Sequence, residues 1–367
     1  MNMVVEHVPC LFPGEVLSSL IIRLARNHVS TPHELCTLLW PDFQFWTRDI
    51  DRSASDELLS AIAETTGLGI DALRQSTLRG LVHSMGFRER IEGKQDGILP
   101  VGVYHRIRRH HGQQFCPVCL AEKPAYLHKL WRLEFLVACP EHEILLRDAC
   151  PHCDSPFIPH RQHALDEHVC HRCSQSLISG NTSVLSRYAA FLQGSILAAL
   201  SAMSDEVARA PGAAEEPVYM GMQITAPEYI DGIRRLCRLA TFHTYQAQNP
   251  GTHRRRTWDI LRTTERAAVM DIVGLWIADW PNSWLQWALS HHLTRRHVEY
   301  LCGPWPSWVS AAKTALPYSP MYVGRRRKRK QTTLRQFRRR QANVARYREA
   351  RAHHLLGKAS VLQVIEK

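Results

Sequence analysis

Four short stretches decide how this chain is read: Cys116-Pro-Val-Cys119, Cys139-Pro-Glu-His142, Cys150-Pro-His-Cys153 and Cys170-His-Arg-Cys173. Each sets two metal-ligand residues three positions apart, the spacing at which one tight turn delivers two ligands to one ion. Zinc takes four nitrogen or sulfur ligands in a tetrahedron. Paired in order, the stretches predict a Cys₃His site and then a Cys₄ site, with intervening loops of 19 and 16 residues. Only residues 143–149 separate the two sets. They use seven of the eleven cysteines, more order than a lone CxxC would carry.

Rival chemistries fit less well. Disulfides need an oxidising compartment. A redox CxxC would sit beside a βαβ pattern, and none surrounds it. Catalytic zinc keeps an open coordination position, whereas both sites here are filled by protein. Within the first set His142 is the weakest member, because His128 or His152 could stand in for it. Cys10, Cys36, Cys237 and Cys302 are isolated and read as buried apolar residues. A segment this polar cannot fold on its own core, so two structural zinc ions would supply the folding energy and make a rigid platform.

On either side the pattern turns helical. Leu17, Leu20, Ile21 and Leu24 share one face, and Asn27-His28-Val29 breaks the run. Thr31-Pro32-His33-Glu34 has the form of a capping box with proline at the first helical position, and Trp40-Pro41 ends that helix. Asp56 can cap a helix carrying Leu58, Leu59 and Ile62; Gly67 supplies a left-handed stop before a helix with Leu73 and Leu78. Ala63 and Gly67 match the small residues that let two helices of a helix-turn-helix approach, with Ser76 where an apolar residue is usual. Helical hairpins with no nucleic-acid role share this pattern. Beyond the cysteines, residues 184–203 predict a helix and 204–218 a linker. Helices follow near 227–246, 265–279 and 283–297, the last two parted by Trp280-Pro281-Asn282, with Asn282 or Ser283 as a cap. Trp276, Trp280, Trp284 and Trp287 recur at helical spacing and read as core.

The 367 residues carry a net charge of +12, and the excess is local. Residues 325–348 hold 12 Arg or Lys and no Asp or Glu, and 349–367 hold three basic and two acidic residues, leaving 31 basic against 32 acidic residues in 1–324. Seven thiolates against two Zn²⁺ would lower the loaded charge to about +9. Arg325, Arg326, Arg327, Lys328, Arg329, Lys330, Arg335, Arg338, Arg339 and Arg340 are the candidate phosphate contacts, through counterion release. A solvated tail touching acidic protein, or nothing, is the other reading. With no secretory signal and no apolar run long enough to cross a bilayer, a cytoplasmic protein is expected.

These readings give a mainly α chain: a helical N-terminal lobe with helix-turn-helix-like pairs (1–112), two small zinc-finger or zinc-ribbon modules (113–178), a helical C-terminal lobe (179–323) and a basic tail (324–367).

Two segments resemble the TniQ family. Phe12-Pro-Gly-Glu-Val-Leu-Ser-Ser-Leu-Ile-Ile-Arg-Leu-Ala-Arg26 is similar to its opening turn into a helix ending Arg-x-Ala. Phe115-Cys-Pro-Val-Cys-Leu120, Trp131-Arg-Leu133, Ala138-Cys-Pro-Glu-His142, Leu145 and Cys150-Pro-His-Cys153 resemble its zinc segment, the tryptophan and the Cys-Pro-x-His turn being the specific parts. The likeness covers roughly residues 8–175. The Asp279-Trp280-Pro281 turn only loosely resembles the C-terminal regions of TniQ and TnsD, and the basic tail is not a feature associated with the family.

The resemblance implies target selection for transposition: an adaptor that binds target DNA or a CRISPR effector complex and recruits an AAA+ ATPase of TnsC/TniB type. It implies no catalysis. Independently, the chain lacks GxxxxGK[ST], HExxH and any adjacent nucleophile–base pair. A stand-alone zinc-containing, sequence-specific DNA-binding regulator is the alternative, to be told apart by whether an ATPase and an integrase are encoded beside it. A homodimer is left open, and no membrane partner is expected.

Overall fold

A computed structural model describes residues 5–90, 93–104, 107–108, 110–122, 124–162, 168–203, 224–246, 257–302 and 304–318. The 204–218 linker and the basic residues from Arg325 to Arg340 lie outside them. The described residues form one compact unit that is mainly helical. No helix among them is long and apolar enough to cross a membrane.

The chain enters α1 (Leu17–Asn27) through a turn that Glu15 holds together. Its buried carboxylate accepts from the Phe12 backbone N–H (3.1 Å), the Ser19 hydroxyl (2.7 Å) and Arg23 Nη1 (2.7 Å). Gly14, at φ +70°, is obligatory there, since a Cβ would lie 2.1 Å from the His128 ring. Helix α1 ends on Val29, which sits at φ +52° in the left-handed region. Thr31 and Glu34 form the expected capping box on α2 (Pro32–Leu39). After the short α3 (Ile50–Ser53), α4 (Asp56–Thr66) is capped by Ser55, whose hydroxyl accepts from the Leu58 N–H. Asp56, the expected cap, is the first helical residue instead. Gly67 stops α4 at φ +72° as expected, and α5 (Ile70–Gln75) packs back on it. Helix α5 ends before Leu78, and a separate α6 (Arg79–Ser84) follows.

A two-residue hairpin, β1 (Val103–Tyr104) and β2 (Ile107–Arg108), leads toward the cysteine-rich region, which contains the short α7 (Pro117–Ala121). The C-terminal helices are α8 (Arg187–Ser201), α9 (Ala226–Thr241), α10 (Thr263–Ala278), α11 (Asn282–Ser290), α12 (Arg295–Cys302) and α13 (Ser307–Lys313). The helix expected over 283–297 is two helices. His292 adopts φ +54°, and the His292 and Leu293 N–H groups turn back onto Leu289 and Ala288 carbonyls, which ends α11. Asn282 and Ser283 do not cap α11; both donate side-chain hydrogen bonds to Asp279. Trp276 and Trp284 are buried and Trp280 and Trp287 half-buried; Trp280 stacks on Trp284, and Trp276 meets Trp287 at a tilt of 47°.

Buried side chains divide into two cores. One gathers Leu17, Leu20, Leu24, Trp40, Leu59, Ile62 and Leu73 from α1–α5. The other runs from Val16 and Leu78 through Phe115 and Trp131 to Trp258, Trp284 and Leu316. The cysteine-rich segment and the C-terminal helices therefore share one interior. Polar bonds seal the joint. Gln193 on α8 accepts from the Val137 and Ala138 N–H groups (2.9 and 3.0 Å) and donates to the Ala138 carbonyl (3.2 Å). Arg266 on α10, fully buried, donates to the Glu134 carbonyl (2.8 Å) and to Gln114 Oε1 (2.7 Å). Val16 and Leu17, adjacent in sequence, face different cores.

Candidate metal centres

The first ligand pair is built on a helix start. Cys116 is the N-cap residue of α7, Pro117 takes the first helical position, and the Cys116 carbonyl accepts from the Leu120 N–H (3.1 Å). That turn brings Cys119 round to the same side. Phe115 anchors the pair from behind. It is fully buried, bridges Arg147 through two backbone hydrogen bonds and lies 4.4 Å from the Phe157 ring.

The other three pairs are one turn made three times. The N–H of Glu143, Asp154 and Ser174 bonds back to the carbonyl of Cys139, Cys150 and Cys170, at 2.9, 3.0 and 2.9 Å. The N–H of the same cysteines bonds forward to the carbonyls of Ile144, Ser155 and Gln175, at 2.8, 2.9 and 2.9 Å. All three closing residues occupy the left-handed region, at φ +54°, +55° and +56°. An antiparallel bridge frames each turn: Ala138–Leu145, Ala149–Pro156 and Val169–Ser176. Such a turn points the side chains of its first and fourth residues to one side. The chain spacing thereby becomes ligand geometry.

The eight expected residues gather as two foursomes, Cys116, Cys119, Cys139 and His142, then Cys150, Cys153, Cys170 and Cys173. Within each, the potential ligand atoms all lie within 4.8 Å of one another. In the first, Cys119 Sγ is 3.6 Å from Cys139 Sγ, and His142 Nδ1 is 3.6, 3.2 and 3.5 Å from the sulfurs of Cys116, Cys119 and Cys139. In the second, Cys150–Cys173 and Cys153–Cys170 each span 3.7 Å. A tetrahedral zinc with bonds of about 2.3 Å to sulfur and about 2.0 Å to nitrogen sets ligand atoms roughly 3.5–3.8 Å apart. Donor type, number and spacing all fit zinc.

His142 is the histidine that faces the first foursome. Its Nε2 lies 3.2 Å from Glu122, the kind of outer partner that fixes a ligating imidazole. The substitutes are engaged elsewhere: His128 Nδ1 accepts from the Leu130 N–H (3.1 Å), and His152 Nε2 meets the Ser179 hydroxyl (2.8 Å). Burial holds the His128 pKa down at about 4, so that ring stays neutral where a surface histidine would charge. In the second foursome the His152 and Arg172 N–H groups lie 3.4 Å from the sulfurs of Cys150 and Cys170, where they would offset thiolate charge.

Of the remaining cysteines, Cys36 and Cys237 are buried as expected. Cys10 is exposed, contrary to expectation, because it precedes the Phe12–Glu15 turn on the outside of the first core. The Cys302 side chain lies outside the described residues.

Ion pairs between residues far apart in the chain hold the platform to its neighbours. Arg132, fully buried, bonds Asp49 (2.6 Å) and Asp51 (3.2 Å) in the N-terminal lobe. Arg262 at the start of α10 pairs with Asp148 and Asp154, both at 2.9 Å. Arg234 on α9 pairs with Asp96 (2.5 Å) and the buried Glu134 (2.9 Å). Burial pushes the Glu134 pKa up to about 7 despite that arginine.

Set against models of known families, residues 7–146 match TniQ. No curated protein matches the chain.

Proposed function

From the TniQ domain that the chain carries over residues 7–146 we infer a transposition target-selection adaptor that performs no chemistry itself. In this reading it holds target DNA, or a guide-RNA effector complex on that DNA, and recruits an AAA+ ATPase of the TnsC/TniB type. The observation that carries it is the match, which runs from the Glu15 turn through α1–α6 into the first cysteine foursome. That makes the helical lobe and the platform one recognition body.

Zinc, bound by Cys116, Cys119, Cys139 and His142 and by Cys150, Cys153, Cys170 and Cys173, would supply roughly 10–16 kcal/mol of binding energy per site that appears as folding energy. Four protein ligands per site leave no position for substrate, which supports a structural role over a hydrolytic one. The chain's own residues do the rest. Arg132 ties the platform to α3, and Gln193 and Arg266 tie it to the C-terminal helices, so a partner on one face meets a body whose parts are joined by buried polar bonds.

The test is co-purification with a TnsC/TniB-type ATPase, with and without DNA. Cys116→Ser and Cys150→Ser are each expected to drop metal content from two zinc per chain to about one and to cut ATPase capture at least tenfold. Unchanged metal content together with normal capture in both variants would remove the role given to the platform.

A further inference from the structure

A groove of about 440 Å³ runs between the approach to α3, with Thr47, Arg48 and Arg52, and the 93–102 stretch joined by His110. Arg132 stands behind both walls. Its guanidinium bonds Asp49 and Asp51 on one side and the Leu99 carbonyl (3.1 Å) on the other, and its own carbonyl accepts from the Leu99 N–H (2.8 Å). The second wall is close-packed. A Cβ on Gly102 would lie 2.2 Å from the His110 ring, and one on Gly112 would lie 2.2 Å from the Pro100 carbonyl oxygen. Close packing therefore leaves those two positions room for glycine only.

Its charge is one-sided. Asp49, the carboxylate that lines it, is spent on Arg132. Lys94 is matched by Asp259 at 2.5 Å. Arg48 and Arg52 meet no carboxylate among the described residues. Arg48 is exposed, and Arg52 donates to the Arg90 carbonyl (3.0 Å), which orients its guanidinium without neutralising it. Burial and the neighbouring Lys94 hold the His110 pKa below that of an ordinary histidine, so its ring adds polarity rather than charge. In the second wall Ile98, Leu99 and Val101 are buried and Pro100 half-buried, and none of the four carries a side-chain group that reads base edges.

We propose that this groove binds the phosphodiester backbone of the nucleic-acid target without regard to sequence, Arg48 and Arg52 making the charged contacts. Oriented guanidinium groups with no acid partner pair phosphate oxygens in a fork, and such contacts position a nucleic acid without specifying it. The inference rests on the target-binding half of the proposed function and assigns it a place in the body of the protein, apart from the basic tail.

The experiment uses the full zinc-loaded chain and a 20-base-pair duplex of arbitrary sequence, with an RNA duplex of the same length as a second probe, titrated by fluorescence anisotropy over a range of salt. Arg48→Glu with Arg52→Glu is compared with a control of equal charge change, Arg238→Glu with Arg296→Glu, on exposed positions of α9 and α12. The groove pair is expected to weaken binding at least tenfold and flatten the salt slope by about 2, as two lost phosphate contacts should. The control pair is expected to do neither. Loss on DNA, on RNA or on both supports the groove and identifies the strand it holds. Equal effects of the two pairs, or none from the groove pair, overturn the proposal. Unchanged zinc content and melting temperature show that the variants fold, and the milder Arg48→Ala replaces the groove pair should it not. ATPase capture, measured separately, distinguishes failure of the groove from failure of the adaptor reading.

Discussion

Single residues in this chain carry conformations that their side chains do not favour. Val29 closes α1 at φ +52° with 70% of its surface exposed. A β-branched residue in the left-handed region costs about 1–2 kcal/mol, and little burial offsets it here. Val29→Gly should therefore raise stability by about 1 kcal/mol, read as an upward shift in the denaturant midpoint at unchanged slope. A lower midpoint would mean that Val29 makes contacts worth more than its strain. Glu143, Asp154 and Ser174 share that backbone state but close turns that set ligands, so their conformations serve the foursomes. Nothing in the sequence marks those three positions, because glutamate, aspartate and serine do not announce a left-handed residue as glycine does. Gly67 does announce it, and that stop was legible.

At the scale of elements, local signals were readable and distant ones were not. The Thr31–Glu34 box lies within four residues and could be seen in the sequence; the Thr225–Glu228 box on α9 has the same span. The ligand foursomes were legible because their spacing is itself the geometry. By contrast, Gln193 lies 55 residues from its partner Ala138, and Arg132 lies 83 from Asp49. No pattern in one chain pairs them, and the groove that Arg132 braces was equally hidden. Gln193 joins α8 to the turn carrying Cys139, so its loss should loosen that turn as well as α8. Gln193→Leu keeps the volume but leaves two buried N–H groups and a carbonyl unpaired, which should cost about 2–4 kcal/mol. It should also speed zinc loss to a chelator from the first site more than from the second. Equal rates at both sites would show that the joint does not support the turn.

For the whole molecule, the mainly helical class and the two cysteine modules could be anticipated, while the way the interior divides could not. Apolar periodicity tells which face of a helix is buried but not which other helices it meets. One interior closes within residues 17–73 and contains none of the eight metal-ligand candidates; the other contains Cys116, Cys139, Cys150 and Cys170. Chelation should then act unequally. Hydrogen exchange in excess chelator is expected to expose amides in residues 113–178 and in α8–α10 together, while the centres of α1 and α4 keep much of their protection. Uniform exposure along the chain would show that the first interior depends on the metals after all.

The back-to-back placement of Val16 and Leu17 also bears on how the protein is made. A ribosome releases the N-terminal interior entire once residue 73 is out, whereas the second waits for Leu316 near the far end. Between those moments the cysteines emerge with most of their eventual packing partners still unsynthesised, so metal capture by the nascent chain would precede, and template, the closure of everything downstream.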